Sequence, residues 1–259
     1  MKKEMLLVLS AFLILVISVP IIALGLDSSG SVGTAETFAT FSAPLAALLA
    51  GTLGLARFAQ EDYGLEDRFN SMNLLLSLGL VLFTLSEIGT AIISSMPSGD
   101  QFYFTISLLL IPGILLWAVG IGRYLIVCWK TINSVNPTRV LIAIFLFSAA
   151  ATVGTQILGA VISPNRSLID IAVCIPVGFG IIAIAGILAI LLWTFRRGAL
   201  GLPLGLAFVA SLLFSVQYYS WCIITQAPTD ILSRLIATEI YILMGASVSI
   251  AGRLDASTG

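Results

Sequence analysis

The sequence contains no histidine and very few charged residues. Its 259 residues include 12 Lys and Arg and 13 Asp and Glu, so 10% are charged, against about 25% in an ordinary soluble domain. Without histidine, haem proteins with the usual axial ligands, most catalytic zinc sites and His-dependent catalytic triads are excluded. The three lysines, Lys2, Lys3 and Lys130, lie away from the middle of any apolar run, so a retinal Schiff base is excluded as well.

Motifs for catalysis and for nucleic-acid binding are also missing. The sequence has no HExxH, no GxSxG and no GxxxxGK[ST], which are signatures of common hydrolases and nucleotide-binding enzymes. The net charge is −1 and no run of Lys or Arg exceeds two residues, so we expect no nucleic-acid partner. We therefore expect a protein without catalytic residues, metal or cofactor, and an intramembrane enzyme is the less favoured alternative.

Three cysteines are present, and their spacing does not indicate a metal or redox motif. Cys128, Cys174 and Cys222 each lie in an apolar segment, and no CxxC occurs. Isolated cysteines in such segments are typical of small buried apolar residues. We expect all three to be small, buried apolar residues of the protein.

Long apolar runs dominate the sequence. Hydrophobic residues make up 59% of the chain, the mean hydropathy is +1.10, and charge-free runs such as 6–26 and 171–195 reach the 17 to 25 residues that cross a bilayer. These runs predict an all-α, polytopic transmembrane helix bundle of about eight spans in a lipid bilayer. The predicted spans are 5–26, 38–57, 72–96, 102–127, 140–163, 171–195, 202–225 and 230–252.

The distribution of Lys and Arg predicts the orientation of the bundle. With the N-terminus inside, ten of the twelve lie at cytoplasmic ends and loops, and only Arg166 and Arg234 lie outside. Positive residues favour the cytoplasmic side, so we expect a cell-membrane protein with both termini in the cytoplasm. Alternatively, the first span is a cleaved signal peptide, which would leave seven spans and an outer N-terminus.

Similar segments recur about 130 residues apart. Residues 82–86 read LFTLS and residues 213–217 read LFSVQ, and a Gly-Arg pair occurs at 122–123 and again at 252–253. Such offsets predict two duplicated four-span halves, 1–130 and 131–259. Because each half has an even number of spans, the halves would be parallel repeats related by an axis along the membrane normal.

Two carboxylates in the predicted spans indicate a functional site. Glu87 and Glu239 both lie slightly outward of the middle of their spans, where an ionisable residue is costly and usually functional. Gln217, Tyr218 and Tyr219 fall at a similar depth. We predict one outward-opening polar pocket with Glu87, Gln217, Tyr218 and Glu239 as ligand-binding residues. The structural alternative is a pair of protonated acids hydrogen-bonded between helices.

Each predicted half contains a Leu-Phe-bearing helix, a short polar turn and a helix ending in Gly-Arg, in 72–127 and 202–253. This unit resembles the multi-span membrane sensor regions of bacterial and archaeal histidine kinases and related signalling proteins. The resemblance implies a non-enzymatic, sensor-like or ligand-binding protein that binds an unknown small molecule and acts through a protein partner. Two alternatives are a membrane anchor or assembly subunit of a larger, quinone-linked complex and a small-solute or proton-coupled transporter.

Overall fold

The chain forms a bundle of eight long helices. The computed structural model describes residues 3–60, 68–94, 107–129, 137–164, 168–224 and 231–255, and within these ranges there is no strand. All eight helices are long and apolar enough to cross a membrane, which confirms the predicted all-α, eight-span membrane protein. The helices are α1 (Lys3–Ser28), α2 (Val32–Gln60), α3 (Arg68–Ser94), α4 (Leu110–Cys128), α5 (Pro137–Ile162), α6 (Leu168–Phe195), α7 (Gly201–Ile224) and α8 (Ile231–Asp255).

The two largest differences between predicted and observed helix boundaries have local reasons. Helix α2 begins six residues before the predicted start of its span, because a tight turn at Gly30 directly follows α1. Gly30 has φ +82° and its N–H bonds to the carbonyl of Asp27 at 3.0 Å, the left-handed conformation that glycine adopts after a helix. Helix α4 begins at Leu110 rather than at 102. Pro112 lies in its first turn, where a missing N–H breaks no helical hydrogen bond.

An aromatic cluster lies at the centre of the bundle, where α3, α4 and α7 meet. The rings of Phe83 and Trp117 are 4.8 Å apart, and those of Phe83 and Phe214 are 5.7 Å apart, both edge to face. The Trp117 indole N–H also donates to the backbone carbonyl of Leu76 at 2.9 Å. Aromatic pairs in these geometries add to the energy of burial, so the cluster fixes α3 against α4 and α7.

Small residues on α2 allow its close approach to α3 and α8. A Cβ added to Gly51 would lie 3.0 Å from the carbonyl oxygen of Ser77 on α3, and a Cβ on Gly245 of α8 would lie 2.6 Å from Cβ of Ala50. Such contacts are only available to small residues. The small residues at 47, 50, 51 and 54 therefore allow α2 to pack closely on its neighbours.

The helices differ in how much of their surface is covered by the rest of the bundle. Helices α2, α3, α4, α6, α7 and α8 supply the main buried core, whereas α1 and α5 lie at the periphery with most of their large apolar side chains exposed. In a membrane protein such residues face lipid.

The predicted duplication gives each half its own four helices, with the boundary near 130 in a part of the chain outside the described residues. Helix α2 of the first half packs on α8, and α6 of the second half packs on α4. These two pairs occupy equivalent positions under the duplication. The parallel repeat itself stays a prediction, which superposition of the two halves would test.

Replacing Gly79 by alanine tests the packing between α3 and α4. A Cβ at Gly79 would overlap the Trp117 ring and lie 3.0 Å from the carbonyl oxygen of Gly113. We expect Gly79→Ala to reduce the free energy of unfolding by about 1–3 kcal/mol, measured as a lower unfolding temperature in detergent.

The matched control is Gly154→Ala on the peripheral helix α5, where an added Cβ meets nothing within 4 Å. We expect this variant to unfold at the wild-type temperature or slightly above it, because alanine has the better helix propensity. Equal loss of stability in both variants would contradict the packing described for Gly79.

Candidate functional site

A small polar cavity lies near the predicted outer end of the bundle, the end at which α3 and α7 finish and α8 begins. Its volume is about 20 Å³, which is room for about one water molecule. Side chains from α2, α3, α7 and α8 line it, together with Ser107 and Leu110 at the start of α4. Its polar lining consists of Thr40, Ser86, Glu87, Thr90, Ser107, Gln217, Trp221, Ser233 and Arg234.

Glu87 is the acidic group of this cavity. It lies on α3 about two turns before the helix end, roughly 10 Å along the axis. The Tyr241 hydroxyl on α8 donates a hydrogen bond of 2.6 Å to Glu87 Oε1. The guanidinium of Arg234, one turn into α8, also lines the cavity and interacts electrostatically with the Glu87 carboxylate. A carboxylate and a guanidinium from two helices therefore share one cavity.

The opposite wall is built by α7 and the first turn of α8. The Gln217 side-chain N–H donates to the backbone carbonyl of Ser233 at 2.9 Å, and the Trp221 indole N–H donates to the Ser233 hydroxyl at 3.1 Å. Gln217 is buried, so the hydrogen bond compensates for the removal of its amide from water. These two bonds tie the end of α7 to the start of α8.

Of the four predicted site residues, the cavity brings together Glu87 and Gln217. Tyr218 follows Gln217 directly and therefore points about 100° away around the helix. It packs against Phe214 and Trp221 at ring distances of 6.4 and 5.6 Å and is 1% exposed. Its position is in the core of the bundle rather than on the cavity wall.

Glu239 does not line the cavity either. It is two residues from Tyr241 on α8, so its side chain leaves the helix about 200° from the one that contacts Glu87. Its two carboxylate oxygens are buried and have no hydrogen-bond partner among the described residues. The expectation of one pocket that holds all four residues therefore does not fit the geometry. The four residues lie at a similar depth in the bundle, but their side chains leave their helices in different directions. Ligand binding by any of them stays a prediction.

Two partners of Glu87, Arg234 and Tyr241, are absent from the predicted site. Arg234, which the distribution of Lys and Arg places at the outer end, lines the cavity beside Glu87. Tyr241 lies seven residues after Arg234 on the same helix, about two turns along the same face. This seven-residue spacing places a charged and a polar group on the same side of α8. It is the signal in the sequence that could have identified these two partners of Glu87.

All three cysteines are buried, as predicted, and two of them are bonded to each other. Cys174 near the start of α6 and Cys222 near the end of α7 form a disulfide with a Cα–Cα distance of 5.8 Å. Cys128 is a free, buried thiol. Without CxxC spacing, only the packing of α6 on α7 brings the two cysteines together, because they are 48 residues apart.

The arrangement is suited to binding a polar group. The cavity offers a carboxylate acceptor, a guanidinium donor, hydroxyl groups and an amide, all supplied by side chains on helices that pack on one another. Such groups recognise a solute through charge and hydrogen bonds.

No protein-family model, curated protein or solved structure matches the chain.

Counting reactive thiols in the unfolded protein tests the disulfide. We expect alkylation in denaturant without reductant to modify one cysteine, Cys128, and alkylation after reduction to modify all three. Mass spectrometry of the intact chain gives the count. Three modified cysteines without reductant would contradict the bond between Cys174 and Cys222.

Proposed function

We propose that the protein is a non-enzymatic, ligand-binding membrane protein of the sensor kind, and that the cavity beside Glu87 and Arg234 is its ligand site. The observation that carries this proposal is that α3 and α8 direct an acidic and a basic side chain, Glu87 and Arg234, into one cavity within the bundle. Ionisable residues at such depth lower the stability of a membrane helix and are therefore mostly retained for function.

The chemistry of the pair indicates the kind of ligand. Glu87 accepts hydrogen bonds and complements a cationic group, whereas Arg234 donates them and complements an anionic group. A small zwitterionic solute, such as an amino acid or a betaine, carries both groups and complements both side chains at once. The proposed ligand class is therefore small and zwitterionic.

The size of the cavity links binding to a change of shape. A volume of about 20 Å³ admits no zwitterionic solute, so binding requires α8 to move relative to α3. Helix α8 also packs on α1, α2 and α7, and it runs through the bundle to the opposite end. A ligand that binds the expanded form better than the compact form shifts the population toward it, and a partner at the other end can detect this shift.

The proposed location is the cell membrane, with both termini in the cytoplasm. The excess of Lys and Arg at one end of the bundle supports this orientation. The disulfide supports it independently, because Cys174 and Cys222 lie toward the opposite end and disulfides persist on the oxidising side of a membrane.

Neutralising Glu87 tests the proposed ligand site. Proteinogenic amino acids and betaine are added singly to the protein in detergent, and the unfolding temperature is recorded. We expect at least one compound to raise the wild-type unfolding temperature through preferential binding to the folded state. Glu87→Gln keeps the shape of the side chain but removes its charge, so we expect this response to be lost while the variant still elutes as a folded species.

The matched control is Glu36→Gln, the same substitution on an exposed residue of α2 at the same end of the bundle. We expect it to respond like the wild type. A purely structural role of Glu87 predicts instead that Glu87→Gln keeps the response and that only Glu87→Leu loses stability. That result, or a wild type indifferent to every compound, would contradict the proposal.

Two measurements separate the sensor from the alternatives. A sensor is expected to retain a signalling partner during purification in mild detergent, whereas recovery with redox subunits would favour the membrane anchor. Accumulation of the bound solute in proteoliposomes, driven by a proton gradient, would favour the transporter.

Labelling of loops and termini tests the proposed orientation. We expect tags at Lys2 and Gly259 to report the cytoplasm, and tags at Ser98 and Asn165 to report the outside; all four positions lie outside the described residues. Protease protection or an impermeant label read on intact cells gives the side of each tag. An N-terminal tag on the outside would contradict the eight-span orientation.

A further inference from the structure

An elongated groove opens toward the bilayer between α5, α6 and α7. Its volume is about 630 Å³, within the range of about 300–1,000 Å³ that is typical of small-molecule sites. Ala143 on α5 faces Ala185 and Ala189 on α6 across this groove. These small side chains leave open space between the two helices. Beside it, Ile144 of α5 packs on Gly186 of α6, with its Cγ2 3.0 Å from where a Cβ at Gly186 would lie.

The groove has a charged end and an apolar body. Arg139, in the first turn of α5, is the one charged residue among the described residues that line the groove, and it is exposed. From there the wall continues along α5 to Phe147, about 12 Å further at the helical rise. Ser215 is the other polar residue of the wall, and its hydroxyl already donates to the carbonyl of Ser211 at 2.8 Å. The body therefore offers apolar surface and no unsatisfied polar side chain.

Two features make the Arg139 end attractive to an anion. An arginine at a span end places its guanidinium at the level of the lipid headgroups while its stem lies along apolar surface. The N-terminus of α5, which has 26 residues, adds the partial positive charge of the helix dipole at the same place. An occupant that satisfies both ends needs an anionic head and an extended apolar chain.

We propose that this groove is a binding site for an anionic phospholipid, with the phosphate on Arg139 and one acyl chain between α5, α6 and α7. The lipid comes from the leaflet at the predicted inner end of the bundle, where basic pockets between helices recognise anionic headgroups. The site is separate from the Glu87 cavity and does not depend on its function.

A second groove in the same protein provides an internal comparison. It lies between α1, α2 and α8 and has a similar volume of about 640 Å³, and none of the described residues that line it is charged. Without a charge it can hold acyl chains but cannot select a headgroup. Selectivity for anionic lipid is therefore assigned to the groove that contains Arg139.

The test is a lipid competition followed by native mass spectrometry. The full chain in detergent is mixed with equal amounts of phosphatidylglycerol and phosphatidylcholine, and the retained lipid is counted. We expect the wild type to retain about five times as much phosphatidylglycerol as phosphatidylcholine. This is the preference for an anionic lipid that one basic residue near the membrane surface provides. Arg139→Gln should remove this preference. Arg123→Gln, a matched change of an exposed arginine on α4 at the same end that lines neither groove, should keep it.

A groove-filling variant separates the acyl site from a simple anion site. Ala143→Phe should lower the retention of phosphatidylglycerol to about that of phosphatidylcholine, which the second groove still holds, and added glycerol phosphate should not displace phosphatidylglycerol from the wild type. If Ala143→Phe fails to fold, the Arg139 and Arg123 pair still decides the question. Three results would overturn the proposal. They are the same preference for phosphatidylglycerol in Arg139→Gln and Arg123→Gln, displacement of phosphatidylglycerol by glycerol phosphate, and a dimer that occupies the groove in place of lipid.

Discussion

The bilayer provides no hydrogen bonds to the chain, and the architecture follows from this constraint. Helices satisfy their backbone within each span, which explains why apolar runs become helices over almost their whole length. Side chains that remain polar within the spans must then find partners across helix interfaces. Glu87 does so through the Tyr241 hydroxyl and the charge of Arg234, and Gln217 does so through the carbonyl of Ser233.

The bundle has a tightly packed part and a loosely packed part, and the two proposed binding sites differ accordingly. The polar cavity lies where α3, α7 and α8 converge, and its small volume makes any larger ligand a cause of helix movement. The groove beside α5 lies where a peripheral helix packs with alanines facing it, and it can accept an acyl chain without movement. One site is suited to a change of state and the other to anchoring the protein among its lipids.

The sequence was sufficient to predict the helices and their number, because hydrophobicity and length are properties of each span alone. It also predicted that Glu87 and Gln217 lie in one polar pocket, because a polar residue deep in a span is costly in whichever direction its side chain points. It could not distinguish these from Tyr218 and Glu239, because the direction of a side chain around its helix has meaning only once the neighbouring helices are known. The same reason explains why Arg234, Tyr241 and the bond between Cys174 and Cys222 were missed: each depends on a partner far away in the chain.

The central claim is that Glu87 and Arg234 are coupled within one cavity, and a double-mutant cycle measures this most directly. The unfolding free energies of Glu87→Gln, Arg234→Gln and the double variant are compared with the wild type under the same detergent conditions. We expect each single change to leave an unpaired charge in the bundle, so the double variant should be more stable than the sum of the single effects by about 0.5–3 kcal/mol. The control pair, Glu36→Gln with Arg234→Gln, is expected to be strictly additive. The same additivity for Glu87→Gln with Arg234→Gln would contradict the account.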